Sequence, residues 1–203
     1  MVSVAVVGAS GHVGSRILKE LSQRGHSVTA IVRQPDAVPH LPNVTVVQGD
    51  INETQAFIET LSGHEVVVSA VKFAQVSPTR LIDAVKASGV SRYLVVGGAG
   101  SLEVAPGQLL IDQPNFPEAY LPEARAGLDF LNQLRNEKAL DWTFISPSAL
   151  FEAGERTGHF RIGQDTLLSN EQGSHISYED FSMALVDEIE KPAHSRQRFT
   201  VGY

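Results

Sequence analysis

The chain has no cysteine among its 203 residues, which removes disulfides, thiolate metal sites and a cysteine nucleophile from consideration. Basic residues are few: 16 Lys and Arg stand against 23 Asp and Glu, a formal net charge of -7, so no nucleic-acid partner is expected. No apolar run is long enough to cross a membrane, and Met1 leads into a strand-like stretch without a charged leader. A cytoplasmic protein with no membrane partner is the resulting expectation. His12, His26, His40, His64, His159, His175 and His194 show no pair at metal-binding spacing, so no metal is expected. A Gly-x-Ser-x-Gly elbow is also missing, which argues against a serine hydrolase. The length suits one domain, 1–203.

What is present is concentrated at the start. Val2-Ser3-Val4-Ala5-Val6-Val7 reads as a buried strand, and it breaks into Gly8-Ala9-Ser10-Gly11-His12-Val13-Gly14. The apolar pattern then resumes at helical spacing through Val13, Ile17, Leu18 and Leu21. Strand, glycine turn and helix start in this order make a phosphate cradle. Glycines let a pyrophosphate approach the backbone, where free N–H groups and the positive end of the helix dipole receive it.

Arg24-Gly25 stops that helix, and Val28 to Val32 forms the second strand. Nineteen residues beyond Gly14, where NAD-preferring proteins place an acidic residue for the ribose hydroxyls, stands Arg33. A guanidinium there suits a 2′-phosphate, so NADP(H) is favoured, with NAD(H) still possible through Asp36. His12 is either a second contact to that phosphate or a plain helix-start residue.

Val44 to Val47 is the third strand, followed by Asp50, a candidate acceptor for the adenine amino group. Asn52 with Gln55 reads as a capping box for the next helix. Val66 to Val71 is the fourth strand, and its end, Ser69-Ala70-Val71, belongs beside the cofactor because open α/β sheets bind ligands at strand carboxyl ends. Ser77-Pro78 opens a helix, Tyr93 to Val96 is a fifth strand, and Gly97-Gly98-Ala99-Gly100 follows it. From Gly97 to about Leu121 no period is visible, which predicts a lid or binding loop. A helix from Pro122 and a strand from Trp142 to Ile145 come next. Residues 149–175 read as a small substrate-side segment. Ser177 with Asp180 caps the last helix, and Phe199 to Val201 closes the chain as a strand.

On Gly8 to Gly14, Val32-Arg33, Gln48-Gly49-Asp50, Ile145-Ser146-Pro147-Ser148 and Ile176-Ser177-Tyr178-Glu179-Asp180, the sequence resembles the atypical short-chain dehydrogenase/reductases over nearly its whole length. That NAD(P)-binding group includes NmrA-like proteins, NADH-flavin-reductase-like proteins and biliverdin reductase B. The resemblance implies a Rossmann-type α/β fold, a doubly wound parallel sheet with a small C-terminal lobe. It also implies phosphate contacts from Ser10, Gly11, His12, Val13 and Arg33, an adenine pocket at Asp50 and Ile51, and a nicotinamide neighbourhood at Pro147 and Ser148. With the glycine turn and the small residues at strand ends, the expected cofactor set is Gly8, Ser10, Gly11, His12, Val13, Gly14, Arg33, Asp50, Ile51, Ala70, Val71, Gly97, Gly98, Pro147 and Ser148.

Orthodox short-chain dehydrogenases pair a tyrosine with a lysine four residues later, since a phenol titrating near 10 needs a cation to act at neutral pH. Here Gly97, Ala124 and Ser182 follow Tyr93, Tyr120 and Tyr178 at that spacing, and Tyr203 ends the chain. Tyr120, with Arg125 nearby, is left as a proton-donor candidate or a packing or lid tyrosine. Reduction of a conjugated ring asks less of the protein, because the proton can come from water. The leading expectation is an NADPH-dependent reductase with a small-molecule flavin- or quinone-like acceptor. The alternative is a non-catalytic NADP(H) sensor, the one case in which a protein partner is expected. The oligomeric expectation is a monomer or homodimer.

Overall fold

Val4, Ala5, Val6 and Val7 are all buried, and burial on both faces makes β1 (Ser3–Val7) a central strand. The computed structural model describes residues 1–203 and pairs β1 in parallel with β2 (Ser27–Val32) and β4 (Val66–Ser69). Between these in sequence comes β3 (Val44–Gln48), and β5 (Arg92–Val96) follows. Two short strands, β6 (Glu103–Ala105) and β7 (Gln108–Leu109), precede β8 (Asp141–Pro147). The C-terminal quarter adds β9 (Leu150–Glu152), β10 (Arg161–Gly163), β11 (His175–Ser177) and β12 (Gln197–Gly202). The main sheet runs β10-β12-β8-β5-β4-β1-β2-β3, parallel except for the edge strand β10.

Alternation along β1 feeds two cores. Val4 and Val6 meet α1 (His12–Gln23) and, through Phe181, Leu185 and Ile189, the last helix, α5 (Tyr178–Glu190). Ala5 and Val7 face the opposite layer, formed by α2 (Thr54–Leu61), α3 (Pro78–Ala87) and α4 (Leu121–Asn136) through Phe57, Leu81 and Phe130. Helices on both faces of a mostly parallel sheet give the Rossmann arrangement.

Ser77 accepts the Arg80 N–H at the start of α3, and Ser177 accepts the Asp180 N–H at the start of α5. The expected capping box at Asn52 and Gln55 does not form. Asp50 takes the Asn52 N–H at 2.8 Å in an Asx turn, Asn52 accepts from Arg80, and Gln55 reaches Glu59 instead. The fourth strand also stops at Ser69 rather than Val71, because after the Ala70 N–H bonds the Val7 carbonyl the chain turns out of the sheet.

Residues 97–121 are a braced wall and not an irregular loop. Leu102 and Ile111 are buried beneath the β6–β7 hairpin, the Glu103 N–H reaches the Asp165 carbonyl and the Leu167 N–H reaches the Glu103 carbonyl. Strands of two and three residues are too short to leave a period in the sequence. The 149–175 segment is likewise only partly separate: β9 pairs with β11, whereas β10 joins the main sheet along β12. No helix is long and apolar enough to cross a membrane.

Ion pairs tie α1 and α5 together. Glu20 is 4% exposed and accepts hydrogen bonds from Arg24 and Arg156, while Arg24 also reaches Asp187 and Glu190. Burial pushes the Glu20 carboxyl up, but the hydrogen bonds from Arg156 and Arg24 outweigh it and hold it below 4.5. Glu190 and Glu179 are lowered in the same way, against burial, by His26 with Arg24 and by the Gly154 N–H with Arg16. Groups depressed in the folded state lend stability that is complete above their unfolded values near 4.3 and disappears as pH falls through the folded ones. Thermal midpoints are therefore expected to drop as pH falls below about 4.5, less steeply for Glu20→Gln; parallel wild-type and variant curves would contradict this.

Candidate functional site

Strand order reverses between β1 and β4, and a cleft of about 400 Å³ lies beside the carboxyl ends of these strands. Its floor is the glycine turn. Gly8 has φ +81°, and a Cβ there would stand 2.5 Å from the Ala70 carbonyl oxygen, so only glycine lets the turn run this close to the chain leaving β4. The Gly11 N–H turns back to the Gly8 carbonyl, and the Ser15 N–H bonds the Gly11 carbonyl. The N–H groups of Ser10, His12 and Val13 have no acceptor in the protein, and no side chain caps α1. Unpaired amides at the positive end of a twelve-residue helix are an anion site.

At the end of β2, Arg33 is exposed, and its guanidinium makes no hydrogen bond or ion pair; its carbonyl accepts from the Gln48 side chain at 3.2 Å. Arg33 lines both the main cleft and a side cavity of about 360 Å³, which also share Gly49, Asp50 and Phe57. The cleft further collects Ile51, Ala70 and Val71. Asp36 sits on the turn Pro35–Ala37 and lines neither cavity.

Residues 8–192 match the profile of the family described as NAD(P)H-binding. The chain belongs to that family. It is 42% identical to YwnB of Bacillus subtilis (strain 168), over 98% of this chain and 97% of that one. A Bacteroides thetaiotaomicron protein named "putative epimerase" has a solved structure that superposes with a TM-score of 0.95 at 41% identity, covering 100% and 98% of the two chains. A Streptococcus pneumoniae TIGR4 protein named "putative NADH-flavin reductase" superposes at 0.87 with 34% identity, covering 100% and 99%.

A nucleotide of the kind the NAD(P)H-binding family holds fits this cleft on two counts: the unpaired amide of Ser10 beside Gly8 and Gly11 at the N-terminus of α1, and the unpaired Arg33 guanidinium. Lys72, Gln75 and Val76 also line it, and sequence reasoning missed them. They lie on the turn after β4, where no periodicity or spacing rule marks a lining residue.

Several expected contacts lie elsewhere. His12 turns its ring toward Tyr178 on α5, with centroids 6.1 Å apart and planes 27° apart, rather than toward a phosphate shared with Arg33. Val13 packs against the core, and Gly14 fits under the Gly8 carbonyl, so both support the turn from behind. Gly97 donates to the Ile145 carbonyl at 2.8 Å and is pressed against Phe144; Gly98 has open space around its Cα. Pro147 ends β8 opposite Val201, and the fully buried Ser148 hydroxyl donates to the Val201 carbonyl, so it stitches β8 to β12 instead of facing a ligand. None of these seven residues lines the cleft.

No tyrosine and lysine converge as they do in the orthodox relatives. Tyr93 is buried, its phenol pushed up by burial, and shares a hydrogen bond with Ser69. Tyr203 donates to the Asp180 carboxylate, and its oxygen lies 2.9 Å from the Ser177 hydroxyl, fixing Tyr203 on α5. Tyr120 is 66% exposed on the turn Glu118–Tyr120, and its hydroxyl has no partner. Arg161 donates to the Ser169 and Tyr203 carbonyls. No group of three His, Asp or Glu side chains gathers in a metal-binding cluster.

Proposed function

We propose that this chain is an NADPH-preferring reductase that passes hydride to a flavin- or quinone-like ring. One observation carries the reading: the glycine turn with the unpaired Ser10 amide and the unpaired Arg33 guanidinium line one cleft, at the N-terminus of a helix whose His12 and Val13 amides are also unpaired. The turn would hold the diphosphate, Arg33 the 2′-phosphate, and Asp50 with Ile51 the adenine. Bound NADPH supplies the hydride. The small side chains of Ala70 and Val71 leave room where the cofactor passes the end of β4. Without a tyrosine–lysine pair the chain contributes orientation and exclusion of side reactions, and the proton comes from water. The reductase name of the Streptococcus pneumoniae relative supports the acceptor class.

The test is NADPH consumption with FMN, FAD and a naphthoquinone, alongside calorimetric titration with NADP⁺. Turnover above the enzyme-free rate with at least one acceptor is expected. Tight NADP⁺ binding with background rates for every acceptor would replace the reductase by the sensor reading, and absent binding would remove both.

A further inference from the structure

Apart from Met1 and Ile162, the large apolar side chains left most exposed are Val104 (38%), Leu150 (53%) and Tyr120 (66%). A lone exposed hydrophobe is ordinary. These three, however, all belong to segments that follow the carboxyl ends of β5 and β8, the edge of the sheet on which the nucleotide cleft opens.

Tyr120 is also held firmly for a residue so open to solvent. Its N–H bonds the Pro117 carbonyl, and Leu121-Pro122 continues directly into α4. One turn into that helix, the Glu123 carboxylate accepts the Phe73 N–H at 2.7 Å and the Ala74 N–H at 2.9 Å. Phe73 is buried against Phe130 and Phe144, and Ala124 touches Gly100 closely enough that a Cβ there would come within 3.0 Å. The Phe73–Gln75 turn that Glu123 clamps is the one whose neighbours Lys72, Gln75 and Val76 line the nucleotide cleft. The backbone that presents Tyr120 is thus fixed to the cleft wall, while the ring has its hydroxyl unpaired and its surface uncovered.

We infer that Tyr120 is the stacking platform of the acceptor site, and that the acceptor is a planar fused ring with apolar faces. The inference rests on the reductase reading and deepens it. A rigid aromatic with two torsions offers area to such a ring at small entropic cost, and stacking is indifferent to the hydroxyl. This role differs from proton donation, which requires the hydroxyl.

The test uses protein saturated with NADP⁺, which cannot turn over, titrated with FMN while flavin fluorescence quenching is followed. Tyr120→Phe should bind FMN within about twofold of wild type, whereas Tyr120→Leu should weaken it about tenfold, NADP⁺ affinity being unchanged in both. In steady state Tyr120→Leu should raise the KM for the acceptor with little change in kcat, and Tyr120→Phe should alter neither. Quenching indifferent to residue 120, no quenching in wild type, or a kcat collapse in Tyr120→Phe would each overturn the platform. A wild type that binds NADP⁺ but shows any of these leaves the cofactor reading standing; one that does not bind NADP⁺ sinks both.

Discussion

Arg33→Ala should weaken NADPH binding about 10- to 100-fold and leave NADH within about twofold. The range follows from hydrogen bonds to a charged group, worth about 1.5–3 kcal/mol, against about 1.4 kcal/mol for each factor of ten. The guanidinium has no partner to lose, so its removal should not disturb the fold. It stands at the junction of two cavities that also hold Asp50 and Gly49, and no other arginine lines either one. Lys72 shares the main cleft, but a point-charge ammonium cannot match the planar bidentate grip of a guanidinium on phosphate. Calorimetric titration of wild type and variant with both nucleotides decides it, and raised salt should erode the NADPH advantage of the wild type more than that of the variant. Equal losses for NADPH and NADH would mean that the 2′-phosphate is held somewhere else.

Glu188→Ala should lower stability by about 3–5 kcal/mol, the usual consequence of removing one partner from a buried ion pair. Glu188 is 4% exposed on α5, and its Oε1 accepts Arg92 Nη2 at 2.7 Å together with the Ala193 and His194 N–H groups. Its Oε2 meets His194 Nδ1 at 2.7 Å, and the His194 ring stacks on Phe199. Arg92 in turn reaches the Asp141 side chain, while its own Nε has no partner. Alanine would leave a buried guanidinium short of its counter-charge and two amides without acceptors. For a chain of this size the loss corresponds to a fall in Tm of roughly 6–20 °C, measurable by thermal denaturation. A double replacement, Glu188→Leu with Arg92→Met, should recover much of it, because the penalty lies in the orphaned charge. A single variant that melts within 1 °C or so of wild type would show that solvent reaches Arg92 easily.

These two predictions draw on different kinds of information. Arg33 could be singled out by counting from Gly14 along a strand–turn–helix–strand unit, since each step obeys a local rule: a β-branched run, a glycine turn, an apolar stripe at helical spacing. Glu188 could not, because its partner Arg92 is 96 residues away and no spacing rule relates them. The same division runs through the cleft. Gly8, Ser10, Gly11, Arg33, Asp50, Ile51, Ala70 and Val71 line it from their places at strand ends, whereas Lys72, Gln75 and Val76 line it from a turn whose Phe73 and Ala74 amides Glu123 holds from 50 and 49 residues away.

By itself the sequence determined the order of the main strands and helices, the glycine turn after β1 and the candidate 2′-phosphate residue. Backbone constraint and side-chain periodicity act over a few residues and can be read there. The tertiary structure alone decided that a β6–β7 hairpin braces residues 97–121, that Ser148 stitches two strands, that His12 turns to α5 and that Tyr120 stands exposed on a fixed backbone. Each of those outcomes depends on which distant segment occupies the neighbouring space, and a chain specifies that only through the packing of its whole core.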